Sequence, residues 1–282
     1  MKVTYDPALF SAKKQLVETK IQSLEQEFLR HPQVDCPVVH RFGPGLYIRE
    51  VTLPAGALSI GHAQKTEHLN VMLTGRVSIV GENGKVKELV APLTFVGQPG
   101  RKVGYIHETV IWQNIYATTE TDVAKLESMF LDKSDTWKES QPLLSFNKFE
   151  DNADFVLAIA EYGFDEKTVR EQSENTFDQI NFPFGGYGVM VSDSSIEGKG
   201  LFATKDFLTG EIIAPARILG LRTPAGRYTN HSKNPNATMF LKDNGDIDLI
   251  ANSKIKGYQG GTIGQEVTVD YRQALNLTVG RI

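Results

Sequence analysis

The chain has 282 residues, 40% of them hydrophobic and 23% charged, with a net charge of -4 at pH 7. That length and balance fit a soluble globular protein of about two domains, and the acidic balance excludes a broad nucleic-acid footprint. No apolar run approaches the roughly 20 residues of a membrane span, no signal-peptide core stands among the first residues, and the single cysteine, Cys36, excludes both an internal disulfide and a cysteine-based zinc site.

In chain order, Asp6 suits a helix N-cap and Pro7 the first helical position. Phe10, Val17, Ile21, Leu24 and Phe28 recur at helical spacing and Pro32 stops the run, which predicts a helix within residues 1–33. From Cys36 to about Phe130, short segments rich in Val, Ile, Thr and aromatics alternate with turn signals. Leu46–Leu53, Leu69–Leu73, Arg76–Val80, Val86–Val90 and Val110–Ala117 read as strands, separated by Leu53-Pro54-Ala55-Gly56, Gly81-Glu82-Asn83-Gly84 and Gln98-Pro99-Gly100. A β-barrel domain over 34–131 is expected. Residues 149–174 turn helical, with Phe155, Val156, Ile159 and Tyr162 on one face, Gly163 as terminator and Asp165 as the next cap. This gives a helical connector over 132–182 and a second strand-rich domain over 183–282. The predicted class is mainly β with helical connectors, an α+β arrangement.

Among the six histidines, His62, His68 and His107 fall in the first β region at positions that carry a pattern. The order Gly61-His62-Ala63-Gln64 … His68 … Gly75, then Pro99-Gly100 and His107, resembles the cupin family, a double-stranded β-helix barrel. With Gly75 as anchor, His62 takes the first histidine position, Gln64 the second, His68 the glutamate position and His107 the last. The resemblance implies a divalent metal held by His62, His68 and His107, since imidazole suits iron, manganese, nickel or zinc. Against it, one histidine has become glutamine, the carboxylate has become histidine, and the gap from Pro99 to His107 is long. The plainer reading is a barrel whose histidines are ordinary satisfied polar residues, since a cupin fold alone implies no activity.

The second β region carries three ordered segments. They are Gly198-Lys199-Gly200-Leu201-Phe202, then Arg227-Tyr228-Thr229-Asn230-His231-Ser232-Lys233-Asn234-Pro235-Asn236-Ala237, then Gly264-Gln265-Glu266-Val267-Thr268-Val269-Asp270-Tyr271. Singly, each could be a turn, a polar loop or a strand end. Together they resemble the SET domain of protein lysine methyltransferases over residues 187–271, and the central segment is similar to the form in small viral or phage SET proteins. The resemblance implies a threaded C-terminal segment, S-adenosylmethionine as cofactor and a protein lysine as substrate. It implies cofactor binding by Gly198, Lys199, Gly200, Arg227, Asn230 and His231, and a catalytic hydroxyl on Tyr271. Methyl transfer to an amine is mainly a positioning problem, and a neutral phenol hydrogen-bonds in either direction.

Four departures stand out. A second active-site tyrosine is missing, because Ala214-Pro215-Ala216-Arg217 stands where a Glu-Tyr segment is usual. The stretch from Gly200 to Asn230 is short, no cysteine cluster follows Tyr271, and Gln265 replaces a usual glutamate beside a small insertion at 257–261. Either the missing substrate wall comes from the barrel, the connector helices or another subunit, or both β domains are non-catalytic scaffolds. A homo-oligomer, by default a dimer, without nucleic-acid or membrane partners and in the cytoplasm is expected.

Overall fold

The computed structural model describes residues 7–31, 33–80, 86–140, 148–257 and 264–279. The expected Asp6 cap, the Pro32 stop, the 81–84 turn and positions 258–261 of the insertion lie outside the described residues. The chain opens with helix α1 (Pro7–Phe28). Nine strands and a helix follow: β1 (Val38–Gly43), β2 (Leu46–Leu53), β3 (Leu58–Ile60), β4 (Ala63–Gln64), β5 (His68–Val80), β6 (Val86–Val90), β7 (Leu93–Gly97), β8 (Val103–Ala117), α2 (Val123–Phe130) and β9 (Leu131–Asp132). Helices α3 (Asp135–Ser140), α4 (Lys148–Ala160) and α5 (Glu166–Glu174) lead to β10 (Gly185–Tyr187), β11 (Val189–Asp193), β12 (Lys199–Ala203), β13 (Ile212–Ile218) and β14 (Leu221–Arg222). Helix α6 (Pro224–Tyr228), β15 (Asn230–His231), β16 (Ala237–Leu241), β17 (Ile247–Ala251), β18 (Glu266–Val269) and α7 (Tyr271–Val279) complete it.

Strand β8 is the spine of the first sheet. Its later half pairs with β2, its first residues pair with β3, and β5 runs along both parts. The sheet thereby rolls into a barrel around Met72, Val77, Ile106, Val110 and Trp112, all buried. Removing such side chains from water contributes about 1.5–3 kcal/mol each. The two strands expected at 69–73 and 76–80 are one strand with an irregularity between Met72 and Val77. Gly75 (φ +87°) occupies it, and a Cβ there would lie 2.4 Å from the Thr109 carbonyl oxygen. Inward positions shift across it, from His68, Asn70 and Met72 to Val77, as a bulge dictates.

The expected apolar face of α1 is only partly inward. Leu24 is exposed and Glu25 is buried, because Arg101 of the barrel takes the Glu25 carboxylate through both guanidinium nitrogens. In the connector, Gly163 (φ +75°) ends α4 and Asp165 accepts from the Thr168 amide as the cap of α5. Val156 is exposed rather than sharing the face of buried Ile159.

Two further four-stranded sheets form after the connector, in the orders β11-β12-β18-β15 and β14-β13-β17-β16. Strand β10 instead joins the barrel sheet, antiparallel to β1. One buried cluster runs across this junction: Phe182 stacks on Phe42, Phe42 on Tyr47, and Tyr47 on Tyr116, each at 5.8 Å between ring centres. Pro215 sits inside β13 next to a register shift, where a residue without an amide donor is tolerated.

Candidate functional site

The three barrel histidines do not converge. His68, at the start of β5, points inward and its Nδ1 donates to the Thr66 carbonyl at 2.9 Å. His107 follows buried Ile106 on β8 and therefore takes the opposite face, where its Nε2 bonds the Ser78 hydroxyl at 2.8 Å beside the exposed ring of Tyr105. His62 lies edge-on to Trp137 at 4.8 Å, and burial pushes its pKa down to about 3. Gln64 accepts the Tyr116 hydroxyl proton at 2.6 Å. Among the described residues no three His, Cys, Asp or Glu side chains come together as a metal group. The ligand set His62, His68 and His107 is corrected on this geometry, because strand alternation turns His107 away from His68. No divalent metal fits these residues.

The three C-terminal segments do converge. Strand β18 lies between antiparallel β12 and parallel β15, with Asn230 opposite Thr268 and His231 opposite Val269. This places Gly198-Lys199-Gly200, Asn230-His231 and Asp270-Tyr271 on one side of a single sheet. Asn236 clips the pairing, donating to the Glu266 carbonyl and accepting from the Thr268 amide.

Asn230 is a hub. Its Nδ2 reaches the carbonyl oxygens of Glu197 and Lys199 and the side chains of Ser194 and Glu266, at 2.7 to 3.2 Å. Its amide hydrogens are thus spent on pinning the glycine hairpin. Gly198 (φ +49°) makes the turn, with open space where a Cβ would stand. Gly200 is bare because a Cβ there would come 2.2 Å from the Glu266 carboxylate. Lys199 reaches out to Asp193 at 2.8 Å. His231 is buried, and the Tyr271 amide donates to its Nδ1 at 3.1 Å, leaving Nε2 to donate to Asp154 of α4 at 3.1 Å. Asn230 Nδ2 and both ring nitrogens of His231 are therefore engaged within the fold, while Asn230 Oδ1 takes part in none of these bonds.

Tyr271 opens α7. Its hydroxyl donates to the Thr229 carbonyl at 3.3 Å, its ring meets His231 at 5.3 Å and Phe155 at 5.8 Å, and burial pushes its pKa up to about 12. The phenol is neutral at pH 7. Arg227 stacks on Tyr228 and bonds the Gln179 side chain. Both residues line a polar cavity of about 280 Å3 that Glu120, Asp122, Lys125 and Arg222 also face. Of the expected cofactor-binding residues, Arg227 lines this cavity, whereas Gly198, Lys199, Gly200, Asn230 and His231 do not. An arginine facing two carboxylates suits a ligand end that carries a carboxylate and an ammonium together.

Several residues that matter here escaped the sequence reading. Glu266 and Ser194 complete the Asn230 hub, Asp154 and Phe155 bring α4 onto His231 and Tyr271, and Glu120 and Asp122 come from the end of the barrel. Glu266 stood inside a recognised segment, but its burial follows only from the sheet.

No family model matches the chain, and no curated protein matches it. Among solved structures it is similar to an RmlC-like cupin family protein with a double-stranded β-helix fold from Methanocaldococcus jannaschii, at 12% identity over 31% of this chain and 85% of that one, with a TM-score of 0.26. It is also similar to a cupin domain from Bordetella pertussis Tohama I, at 14% identity over 32% of this chain and 99% of that one, with a TM-score of 0.26. An HTH_3 family transcriptional regulator from Vibrio cholerae shares 21% identity over 29% of this chain, with a TM-score of 0.23, and the match spans 51% of the regulator, about half its length. At these scores the likenesses are partial ones, covering about a third of the chain. The rolled sheet itself has the strand pairing described above, and no helix among the described residues is long and apolar enough to cross a membrane.

Proposed function

We propose that the C-terminal region is a SET-type protein lysine methyltransferase that uses S-adenosylmethionine. The observation that carries this reading is the fixing of Tyr271 at both ends, its amide on His231 and its hydroxyl on the Thr229 carbonyl, at the point where the β15–β18 pair opens. Arg227 and the hairpin at Gly198 to Gly200 would hold the cofactor. When bound, that cofactor supplies an electrophilic methyl group on a sulfonium.

The chain's own residues do the rest. Tyr271 keeps its proton and holds it on a backbone carbonyl, so its oxygen lone pairs remain to orient an incoming lysine amine. The aromatic walls of Phe155 and Tyr271 favour the neutral, nucleophilic amine by desolvation. Glu120 and Asp122 bring carboxylates from the barrel's end to the wall of the cavity that Arg227 lines, so the barrel would contribute to the proposed cofactor pocket. The division at 34–131, 132–182 and 183–282 is kept as an organisational proposal on this basis, as are a lysine-bearing protein partner, a homodimer and a cytoplasmic site of action.

Incubation with methyl-labelled S-adenosylmethionine and a lysine-rich protein mixture tests the reading. Label should enter protein with the native chain and fall at least about a hundredfold in Tyr271→Phe, a loss in the range of general positioning and proton-holding groups. A variant as active as the native chain removes Tyr271 from the chemistry. A second reading, a non-catalytic scaffold, is favoured by the engagement of Asn230 Nδ2 and both His231 ring nitrogens within the fold. It predicts a defined oligomer that binds no cofactor.

A further inference from the structure

Alternation along the barrel strands leaves one row of aliphatic side chains facing out. Ile48 of β2 stands opposite Ile115 of β8, Ile115 opposite Leu69 of β5, and Leu69 opposite Val96 of β7. Their neighbours Tyr47, Tyr116, Asn70 and Gly97 are buried, so this row takes the outer side. Leu46 and Leu73 extend it along β2 and β5, and Leu46, Leu69, Leu73 and Val96 are 39–60% exposed. An antiparallel sheet that faces water normally carries polar residues at such positions.

The rest of the barrel surface is different. Past the irregularity at Gly75, Val80, Val86 and Val90 stand among Arg76, Glu88 and Glu108, an ordinary mixed surface. Beside the aliphatic row, the only charged residues at outward ladder positions are Arg41 and Glu50, and they neutralise each other. Arg41 donates to both carboxylate oxygens, at 2.7 and 3.2 Å, and Gln113 Nε2 donates to the same carboxylate at 2.7 Å. A nucleic acid, an acidic lipid surface or a strongly charged protein would find no free charge among these residues. At ordinary strand spacings the face measures roughly 20 by 25 Å. With Phe184 exposed just before the edge strand β10, it approaches the roughly 600 Å2 per partner at the lower end of stable interfaces.

Contiguous exposed apolar patches mark interaction sites. A neutral aliphatic face whose one ion pair is closed internally is complementary to itself, which is what a two-fold contact requires. We propose that the outer face of β7-β5-β8-β2 binds a second copy of this chain, the two copies packing the row of Ile48, Ile115, Leu69 and Val96 against one another. The proposal rests on the homodimer named above, gives it an interface, and is independent of methyl transfer.

Sedimentation equilibrium of the full chain tests it, with the fold of each variant checked by circular dichroism. At micromolar concentration the native chain of 31.3 kDa should show twice that mass. Leu69→Glu and Val96→Glu each put a carboxylate into the apolar contact, and each should weaken dimerisation at least about a hundredfold. Phe240→Glu makes the same kind of change at an exposed apolar position of β16 and should leave the dimer intact. Val96 is the more exposed of the two row positions, so its variant serves if Leu69→Glu does not fold. A native monomer overturns the homodimer and the interface together and leaves the face to a different protein. A native dimer that persists in a folded glutamate variant of the row overturns the interface alone. So does a Phe240→Glu chain that dissociates as fully as Val96→Glu.

Discussion

The backbone amide of Tyr271 donates to Nδ1 of His231 at 3.1 Å. That bond fixes the histidine tautomer, so Nε2 carries the proton and gives it to Asp154 at 3.1 Å. Arg272, the next residue after Tyr271, clasps the same carboxylate through two nitrogens at 2.9 and 3.1 Å. Helix α4 is thereby latched onto the two segments that carry the proposed chemistry.

The latch predicts a graded loss of stability. Asp154→Ala leaves the buried His231 N–H without its acceptor and leaves Arg272 only Glu161 and Asp270, and should cost about 1–3 kcal/mol. Asp154→Asn keeps an acceptor oxygen and should cost less. Urea unfolding of the three proteins checks the order.

Stability should fall on mild acidification, through buried histidines. Burial of His40 pushes its pKa down to about 3 from an ordinary 6.5, and its Nδ1 bonds the Tyr47 hydroxyl at 2.8 Å. The native state holds the neutral ring while the unfolded chain takes up a proton near pH 6.5. The contribution is therefore complete above that pH and is lost as the pH falls from 6.5 towards 3. For His40 the loss between pH 7 and pH 5 is about 2 kcal/mol. His62 is shifted in the same direction for the same first cause. Unfolding midpoints at pH 7, 6 and 5 should drop steeply in the native chain and less in His40→Leu.

Gly200→Ala should disrupt the hub rather than merely narrow a ligand site. The added methyl meets the Glu266 carboxylate, which also binds Asn230 and Ser194. A loss of about 1–3 kcal/mol or more follows from such a clash in packed surroundings. Gly198→Ala meets open space but forces a positive φ on an alanine, and should cost about 1 kcal/mol. Thermal melts of the two variants separate these effects, and equal melting temperatures would contradict the assignment of Gly200.

Much of the fold was legible in the sequence where local chemistry acts alone. Leu46–Leu53 and Val86–Val90 form strands with the expected bounds, and Gly163 and Asp165 stop and start helices as their residue types dictate. What failed depends on faces and partners. His68 and His107 both sit on strands of the barrel, but their facing is set by alternation and by the bulge at Gly75, neither of which motif spacing records. Glu25 interrupts the apolar face of α1 because an arginine 76 positions later comes to meet it. The gathering of Asn230, His231 and Tyr271 was expected from motif order, whereas the contribution of α4 and of Glu120 and Asp122 depends on how distant elements pack.

Calorimetric titration of S-adenosylmethionine into the folded chain and into Arg227→Ala decides whether the C-terminal region holds a cofactor. Saturable binding to the native chain is expected, weakened about tenfold or more when the guanidinium facing the polar cavity is removed. A well-folded native chain that takes up no cofactor, or an Arg227→Ala chain that binds as tightly, would contradict that expectation.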